Sequence, residues 1–226
     1  MAENIFESVF KETFPFWNEI TENERDYICD NTVALTYRKG TRIHDGSKCS
    51  GVFFIRSGCL RVYIMSEDGK AITLYRLHTG DMCMLSASCV LQSVTFDVFI
   101  DAEEDSECYI ISGPAFAYVA ETNPKIKIFS LETAVGRFSD VMWVMQQILF
   151  MSLDRRLAIF LYDESSRTKS EVITLTHEQI AKYIGSAREA ISRMLKYFSN
   201  EGIVELSRKG VRIINKQKLR RLADLL

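Results

Sequence analysis

Residues 176–196 read THEQIAKYIGSAREAISRMLK, and the stretch predicts two short helices joined at Gly185. Thr176 precedes Gln179, and Ser186 precedes Glu189, at the spacing of a capping box. There a hydroxyl accepts a first-turn N–H while the longer side chain reaches back to the cap. Two helix starts ten residues apart leave room only for a tight turn, so a helix-turn-helix is expected. In the second helix Ile191, Leu195 and Phe198 recur at helical spacing and are expected to face a core. Arg188, Glu189, Ser192, Arg193 and Lys196 share the opposite face. Arginine offers paired donors to guanine, a carboxylate accepts from the cytosine amino group, and a hydroxyl can meet either kind of edge. Arg188, Glu189, Ser192 and Arg193 are therefore candidate base readers, with Thr176 and Lys196 as candidate phosphate contacts. The competing reading is an ordinary solvated helix face.

Downstream, Ile203 to Leu206 and Val211 to Ile214 are short β-prone runs separated by Ser207-Arg208-Lys209-Gly210. They predict a hairpin with a basic tip, where Arg208 and Lys209 could hold phosphates. With this wing, residues 174 to 214 resemble the Crp/Fnr family of bacterial regulators. The recognition helix of that family typically carries an Arg-Glu pair followed by Arg, as Arg188, Glu189 and Arg193 stand here. The resemblance implies a winged helix-turn-helix behind a cyclic-nucleotide-binding-like sensor domain, acting on double-stranded DNA as a homodimer. RNA polymerase is a further candidate partner. By the same resemblance Arg188 and Arg193 would contact guanines, and Glu189 a cytosine amino group. Ser192 would meet a neighbouring base, and a TGA-containing half-site is expected.

Charge supports the division. The net charge of −2 conceals +7 on residues 167 to 226, from 13 Lys and Arg against 6 Asp and Glu, and −9 on residues 1 to 166. A cationic end on an anionic body fits phosphate binding through that end. At 226 residues and 47% hydrophobic the chain can build a substantial core. No run approaches the roughly 20 apolar residues of a membrane span. Met1-Ala2-Glu3-Asn4 lacks the features of a signal peptide, so the cytoplasm is the expected location and no membrane partner is expected. Cys29, Cys49, Cys59, Cys83, Cys89 and Cys108 are scattered without a CxxC, which points to reduced, mostly buried thiols.

Residues 4 to 30 read as a helical lead-in, with Thr21-Glu22-Asn23-Glu24 as a capping box. From Val33 to Ser112 the texture is one of short strands: Val33 to Arg38, Val52 to Ile55, Leu60 to Met65, Ile72 to Leu77, Val98 to Ala102 and Cys108 to Ile111. Asp68-Gly69 marks a hairpin turn. The expected fold is α+β: an N-terminal antiparallel β-roll of jelly-roll type, a long dimerisation helix and a C-terminal winged helix-turn-helix.

Residues 51 to 63 followed by Gly80-Asp81 look like the opening half of the family's sensor roll. The following cassette departs from the cyclic-nucleotide version. Met84-Leu85 and Phe96-Asp97 align where that version has Gly-Glu for the ribose and Arg-Ser for the phosphate. No arginine lies between Gly80 and Gly113. A phosphodiester would then face an acidic, apolar wall, so cAMP is not expected and the effector is an unknown small molecule or redox signal. Met82, Cys83, Met84, Leu85, Cys89 and Phe96 are the candidate lining, with Cys83 and Cys89 as redox-sensitive members. Simple core filling by these side chains is the competing reading. Haem of the carbon-monoxide-sensing type is not supported, because Leu85 stands where the ligating histidine would be and the chain's histidines are His44, His78 and His177. An iron–sulfur cluster is not supported either, since Cys29 stands alone before Cys49.

After Pro124 the pattern is helical to about Met151. Leu131, Val135, Phe138, Met142, Met145 and Leu149 form an a/d heptad stripe, while Ala134, Val141, Trp143, Ile148 and Phe150 make neighbouring faces apolar. A helix apolar on more than one face needs two covers: the roll on one side and a second copy of the helix on the other. A buried helix in a monomer is the competing reading. Ser152-Leu153-Asp154 marks a hinge, giving domains of 1–124, 125–152 and 153–226. The expected function is sequence-specific transcription regulation at an inverted repeat, without enzymatic activity. The alternative is a ligand-binding or enzymatic jelly roll whose helical accessory domain does not touch DNA.

Overall fold

The computed structural model describes residues 5–46, 51–69, 71–84 and 98–224. Two compact units divide the chain: Met1–Asp68 with Leu74–Val141, and Gly69–Thr73 with Met142–Leu226.

The first unit opens with α1 (Ile5–Thr13), a 3-10 turn (Trp17–Glu19) and α2 (Glu22–Asp30). α2 starts in the expected capping box: Thr21 Oγ1 accepts the Glu24 N–H, and Glu24 Oε2 accepts the Thr21 N–H at 2.8 Å. Glu24 also accepts from Asn123 Nδ2 at 2.9 Å, and that hydrogen bond is the main reason its carboxyl sits below the usual range.

Eight described strands follow: β1 (Thr32–Tyr37), β2 (Arg42–His44), β3 (Val52–Ser57), β4 (Cys59–Met65), β5 (Ala71–His78), β6 (Met82–Cys83), β7 (Phe99–Ala102) and β8 (Ser106–Ile111). They form two four-stranded sheets, ordered β1-β8-β3-β6 and β2-β7-β4-β5, with the antiparallel pairing of a β-roll. The run Val52-Phe53-Phe54-Ile55 shows why no polar alternation marks β3 in the sequence. Phe53 and Ile55 pack between the sheets with Leu60, Val62, Leu77 and Ile100. Val52 and Phe54 pack on the outer face against Phe10, Phe14, Trp17 and Phe116. A strand covered on both faces reads as a continuous apolar run. The two-residue and three-residue strands β6 and β2 are too short to leave a pattern, and the sequence reading missed them.

α3 (Gly113–Thr122) begins with Pro at its first turn and was also missed; α4 (Pro124–Phe150) follows. α4 has 27 residues, about 40 Å at 1.5 Å per residue.

The second unit contains α5 (Leu153–Thr168), β9 (Val172–Ile173), α6 (His177–Ile184), α7 (Arg188–Asn200), β10 (Val204–Ser207), β11 (Gly210–Ile213) and α8 (Lys216–Leu222). Its core joins Leu157 and Leu161 of α5, Ile180 and Ile184 of α6, Ile191, Leu195 and Phe198 of α7, and Val204, Val211 and Ile213 of the small sheet. The fold is α+β, an N-terminal β-roll and a C-terminal helix-turn-helix, as the sequence pattern led us to expect. No helix among the described residues is long and apolar enough to cross a membrane.

Candidate nucleic-acid interface

α6 begins in the expected capping box. Thr176 Oγ1 accepts the Gln179 N–H at 3.1 Å, and Gln179 Oε1 accepts the Thr176 N–H at 2.9 Å. The helix ends at Gly185, whose φ of +63° places it in the left-handed region where a Cβ is disfavoured. The N–H groups of Gly185 and Ser186 both return to the carbonyl of Ala181, which closes the turn and aims the next helix.

The second capping box does not form. Ala187, not Ser186, is the cap of α7, and it makes no side-chain cap bond. The reason is the turn itself: the Ser186 N–H is already committed to Ala181, so Ser186 belongs to the closure of α6. Glu189, free of a capping role, is exposed.

Along α7, Ile191, Leu195 and Phe198 are fully buried, as expected. Arg188, Glu189, Arg193 and Lys196 are exposed, Ser192 is half-buried beside them, and Thr176 is exposed at the start of α6. Tyr197 is also exposed, a position the sequence reading passed over. Two contacts hold this pair of helices in ways that no local pattern announces. Arg156 Nη1 of α5 donates to the Ile184 carbonyl at 2.8 Å. His177 Nδ1 lies 2.9 Å from Ser192 Oγ.

The expected hairpin is present. β10 and β11 pair from Val204↔Ile213 to Ser207↔Gly210, with Arg208 and Lys209 as the two-residue tip, both exposed. Ser207 Oγ accepts the Lys209 N–H at 3.2 Å and so organises the tip. Gly210 has a φ of +130°, and a Cβ there would stand 2.1 Å from the Ile173 carbonyl oxygen. β11 pairs with β9 on its other side, which anchors the wing to α5 and its connection.

On α4 the residues of the heptad stripe are outward and uncovered. Leu131 is 52% exposed, Val135 64%, Phe138 63% and Leu149 64%, with Met142 and Met145 also exposed. Ala134, Val141 and Ile148 are half-buried, whereas Trp143 and Phe150 are exposed.

In the roll, Cys83 is fully buried between the sheets, with its Sγ 4.0 Å from Tyr75 Oη. Met82 and Met84 are buried in the aromatic cluster on the other face of the same sheet, as alternation along a strand requires. The structure thus separates these three candidate lining residues onto two faces. Leu85, Cys89 and Phe96 lie outside the described residues. Beside this strand, Arg137 of α4 stacks over the Tyr75 ring at 4.9 Å, donates to the Met82 carbonyl at 3.2 Å and pairs with Asp140 at 3.1 Å. The sequence does not single out Arg137, because Tyr75 and Met82 are more than 50 residues away from it in the chain. Burial pushes the Tyr75 hydroxyl well up. Burial also raises the thiols of Cys29, to about 11, and Cys108, to about 12. The four described cysteines, Cys29, Cys59, Cys83 and Cys108, are buried. No group of three or more His, Cys, Asp or Glu among the described residues is placed to hold a metal.

Comparison with known proteins gives this geometry a context. The profile of the cyclic nucleotide-binding domain matches residues 35–123, and that of the Crp-like helix-turn-helix domain matches residues 155–222. A solved structure from Eubacterium rectale ATCC 33656, assigned to the transcriptional regulators of the Crp/Fnr family, is 42% identical to this chain. It superposes with a TM-score of 0.89 over 94% of this chain and 99% of its own. This chain belongs to the Crp/Fnr family. The cAMP-activated global transcriptional regulator CRP of Pasteurella multocida is 23% identical over 179 residues, which are 76% of this chain and 85% of that protein. The fumarate and nitrate reduction regulatory protein of Vibrio cholerae is 24% identical over 220 residues, 92% of this chain and 84% of that protein. As a Crp/Fnr-type protein the chain is a transcription regulator. Residues 155–222 are its DNA-binding helix-turn-helix domain, with α7 as the second helix and the β10–β11 hairpin as its wing.

Proposed function

We propose that the protein acts as a homodimer that reads an inverted-repeat DNA site through α7 under control of a signal received by the β-roll. The observation that carries this reading is the segregation of α7. Its apolar residues are fully buried, while Arg188, Glu189 and Arg193 reach solvent together as paired donors and an acceptor for base edges. Ser192 joins them at the base edges. Thr176, Lys196, Arg208 and Lys209 surround this face and supply phosphate contacts, which set orientation without reading sequence.

The dimer is carried by α4. A stripe of six large apolar side chains at heptad spacing is uncovered in the single chain, and a second copy across a two-fold axis covers it. In this arrangement residues 1–124 sense, 125–152 assemble and 153–226 bind DNA. Two symmetry-related α7 helices enter major grooves about 34 Å apart or a multiple of it.

The signal differs from that of the cAMP-activated relative. Residues 81 to 112 contain no lysine, arginine or histidine to meet a cyclic phosphate, so the roll takes a less charged ligand or a redox signal. Titration of the purified protein with cAMP by calorimetry tests this part. No heat at micromolar concentrations is expected, and a micromolar affinity contradicts it. Mobility shift with its own upstream region, at two salt concentrations, tests the DNA-binding part.

A further inference from the structure

Ser192 is the one uncharged member of the base-reading set, and a hydroxyl can donate or accept. What it offers a base edge therefore depends on what holds its other side. Here that group is the imidazole of His177, with Nδ1 2.9 Å from Ser192 Oγ. His177 is the first residue of α6, directly after the Thr176 cap, and Ser192 lies in the second turn of α7. Both are half-buried, whereas Arg188, Glu189 and Arg193 around them are exposed. The ring thus approaches the hydroxyl from the seam between the two helices.

The two tautomers of a neutral ring have opposite consequences. With its proton on Nε2, the ring accepts at Nδ1, takes the hydroxyl hydrogen and leaves the oxygen lone pairs for the groove. With its proton on Nδ1, the ring donates to Oγ and frees the hydroxyl hydrogen. The first state suits the amino groups of cytosine and adenine. The second suits O6 and N7 of guanine or O4 of thymine. A hydroxyl with no such partner rotates to suit any edge and discriminates little.

We propose that His177 is a specificity-determining positioning residue: its hydrogen bond fixes whether Ser192 donates to or accepts from the base it meets, and the ring itself touches no base. This rests on the reading of α7 as the helix that enters the groove. It assigns to His177 a role that its place in the capping sequence does not indicate.

The experiment is a competition binding assay on the parent protein's selected duplex, using every single-base substitution of one half-site. Four proteins are compared with the parent: Ser192→Ala, His177→Phe, His177→Asn and the Ser192→Ala/His177→Phe double variant. Ser192→Ala is expected to flatten the preference at one base pair, by about five- to tenfold for the loss of a single hydrogen bond. His177→Phe is expected to flatten the same pair to the same degree, with no additional loss in the double variant. His177→Asn is expected to restore the preference, since its carboxamide places a polar atom near the position of Nδ1. A His177→Phe protein that keeps the parent preference while Ser192→Ala loses it overturns the inference and leaves the recognition helix intact. A His177→Phe protein that weakens every duplex equally also overturns it, since that marks a structural or phosphate-binding role. If Ser192→Ala alters no base preference, the inference falls with the assignment of Ser192. An Arg193→Ala control then reports separately whether α7 reads sequence at all.

Discussion

The guanidinium of Arg156 donates to the main-chain carbonyl of Ile184 at 2.8 Å, tying α5 to the last turn of α6. A cation at a helix C-terminus meets both an unpaired carbonyl and the negative end of the helix dipole. Burial disfavours the charge of Arg156, as the lowering of its pKa records, so the bond to Ile184 is made at some desolvation cost. Arg156→Met keeps much of the side-chain volume and leaves the carbonyl unsatisfied. It should destabilise the second unit by about 1 to 3 kcal/mol in urea unfolding. Unchanged unfolding would mean that the helix end is satisfied without Arg156.

The wing separates a structural residue, Gly210, from a proposed phosphate contact, Lys209. Gly210→Ala forces a side chain into a positive-φ position and against the Ile173 carbonyl, so the β9–β11 pairing should be lost along with stability. Lys209→Ala at the exposed tip should leave unfolding unchanged. It should weaken all duplexes alike and reduce the slope of log affinity against log salt by about one. Filter-binding titrations at several salt concentrations measure this, and an undiminished slope would remove Lys209 from the phosphate contacts.

The proposed dimer rests on the α4 stripe. Phe138→Glu with Met145→Glu places a carboxylate at two positions of the apolar seam, and each buried, unpaired charge costs about 3 to 5 kcal/mol. Sedimentation should then show monomers, with DNA binding lost as well. A double variant that sediments as an unperturbed dimer would put the dimer seam elsewhere.

Cys108 supplies a pH dependence. Burial, and to a smaller extent Glu107, raises its thiol from 9.0 to about 12 in the folded chain. Below pH 9 both folded and unfolded thiols are protonated and the shift contributes no change. Above it the unfolded chain loses its proton first, so stability falls as pH rises from 9 towards about 12. Urea unfolding at steps from pH 8 to pH 11 should show this decline, and Cys108→Ala should decline less steeply. Equal slopes would place the titrating group elsewhere.

How far the sequence could be read follows from where each signal lies. The Thr176–Gln179 box, the buried triplet Ile191, Leu195 and Phe198, and the α4 stripe are local periodicities, and the structure has each where the pattern put it. Ser186 shows the limit of local reading. Its spacing to Glu189 fits a capping box, but its N–H is taken by Ala181 across the turn. The partners of Arg156, His177 and Arg137 lie 28, 15 and 55 residues away in the chain, at no repeating interval, so only the folded chain brings them together. The two faces of β3 pose the reverse difficulty. Val52 to Ile55 announce burial plainly but cannot say which side chains turn inward.

In the proposed function the exposed face of α7 reads base edges as part of a two-fold dimer. Selection of bound duplexes from a random pool, carried out in parallel with the parent and with Arg193→Ala, tests it most directly. The parent should recover an inverted repeat whose half-sites are centred about 34 Å apart or a multiple of that distance. Arg193→Ala should bind about 1 to 3 kcal/mol more weakly per half-site and lose its preference at one position of each. Recovery of no palindrome, or an Arg193→Ala preference identical to the parent's, would show that this face of α7 does not read the site.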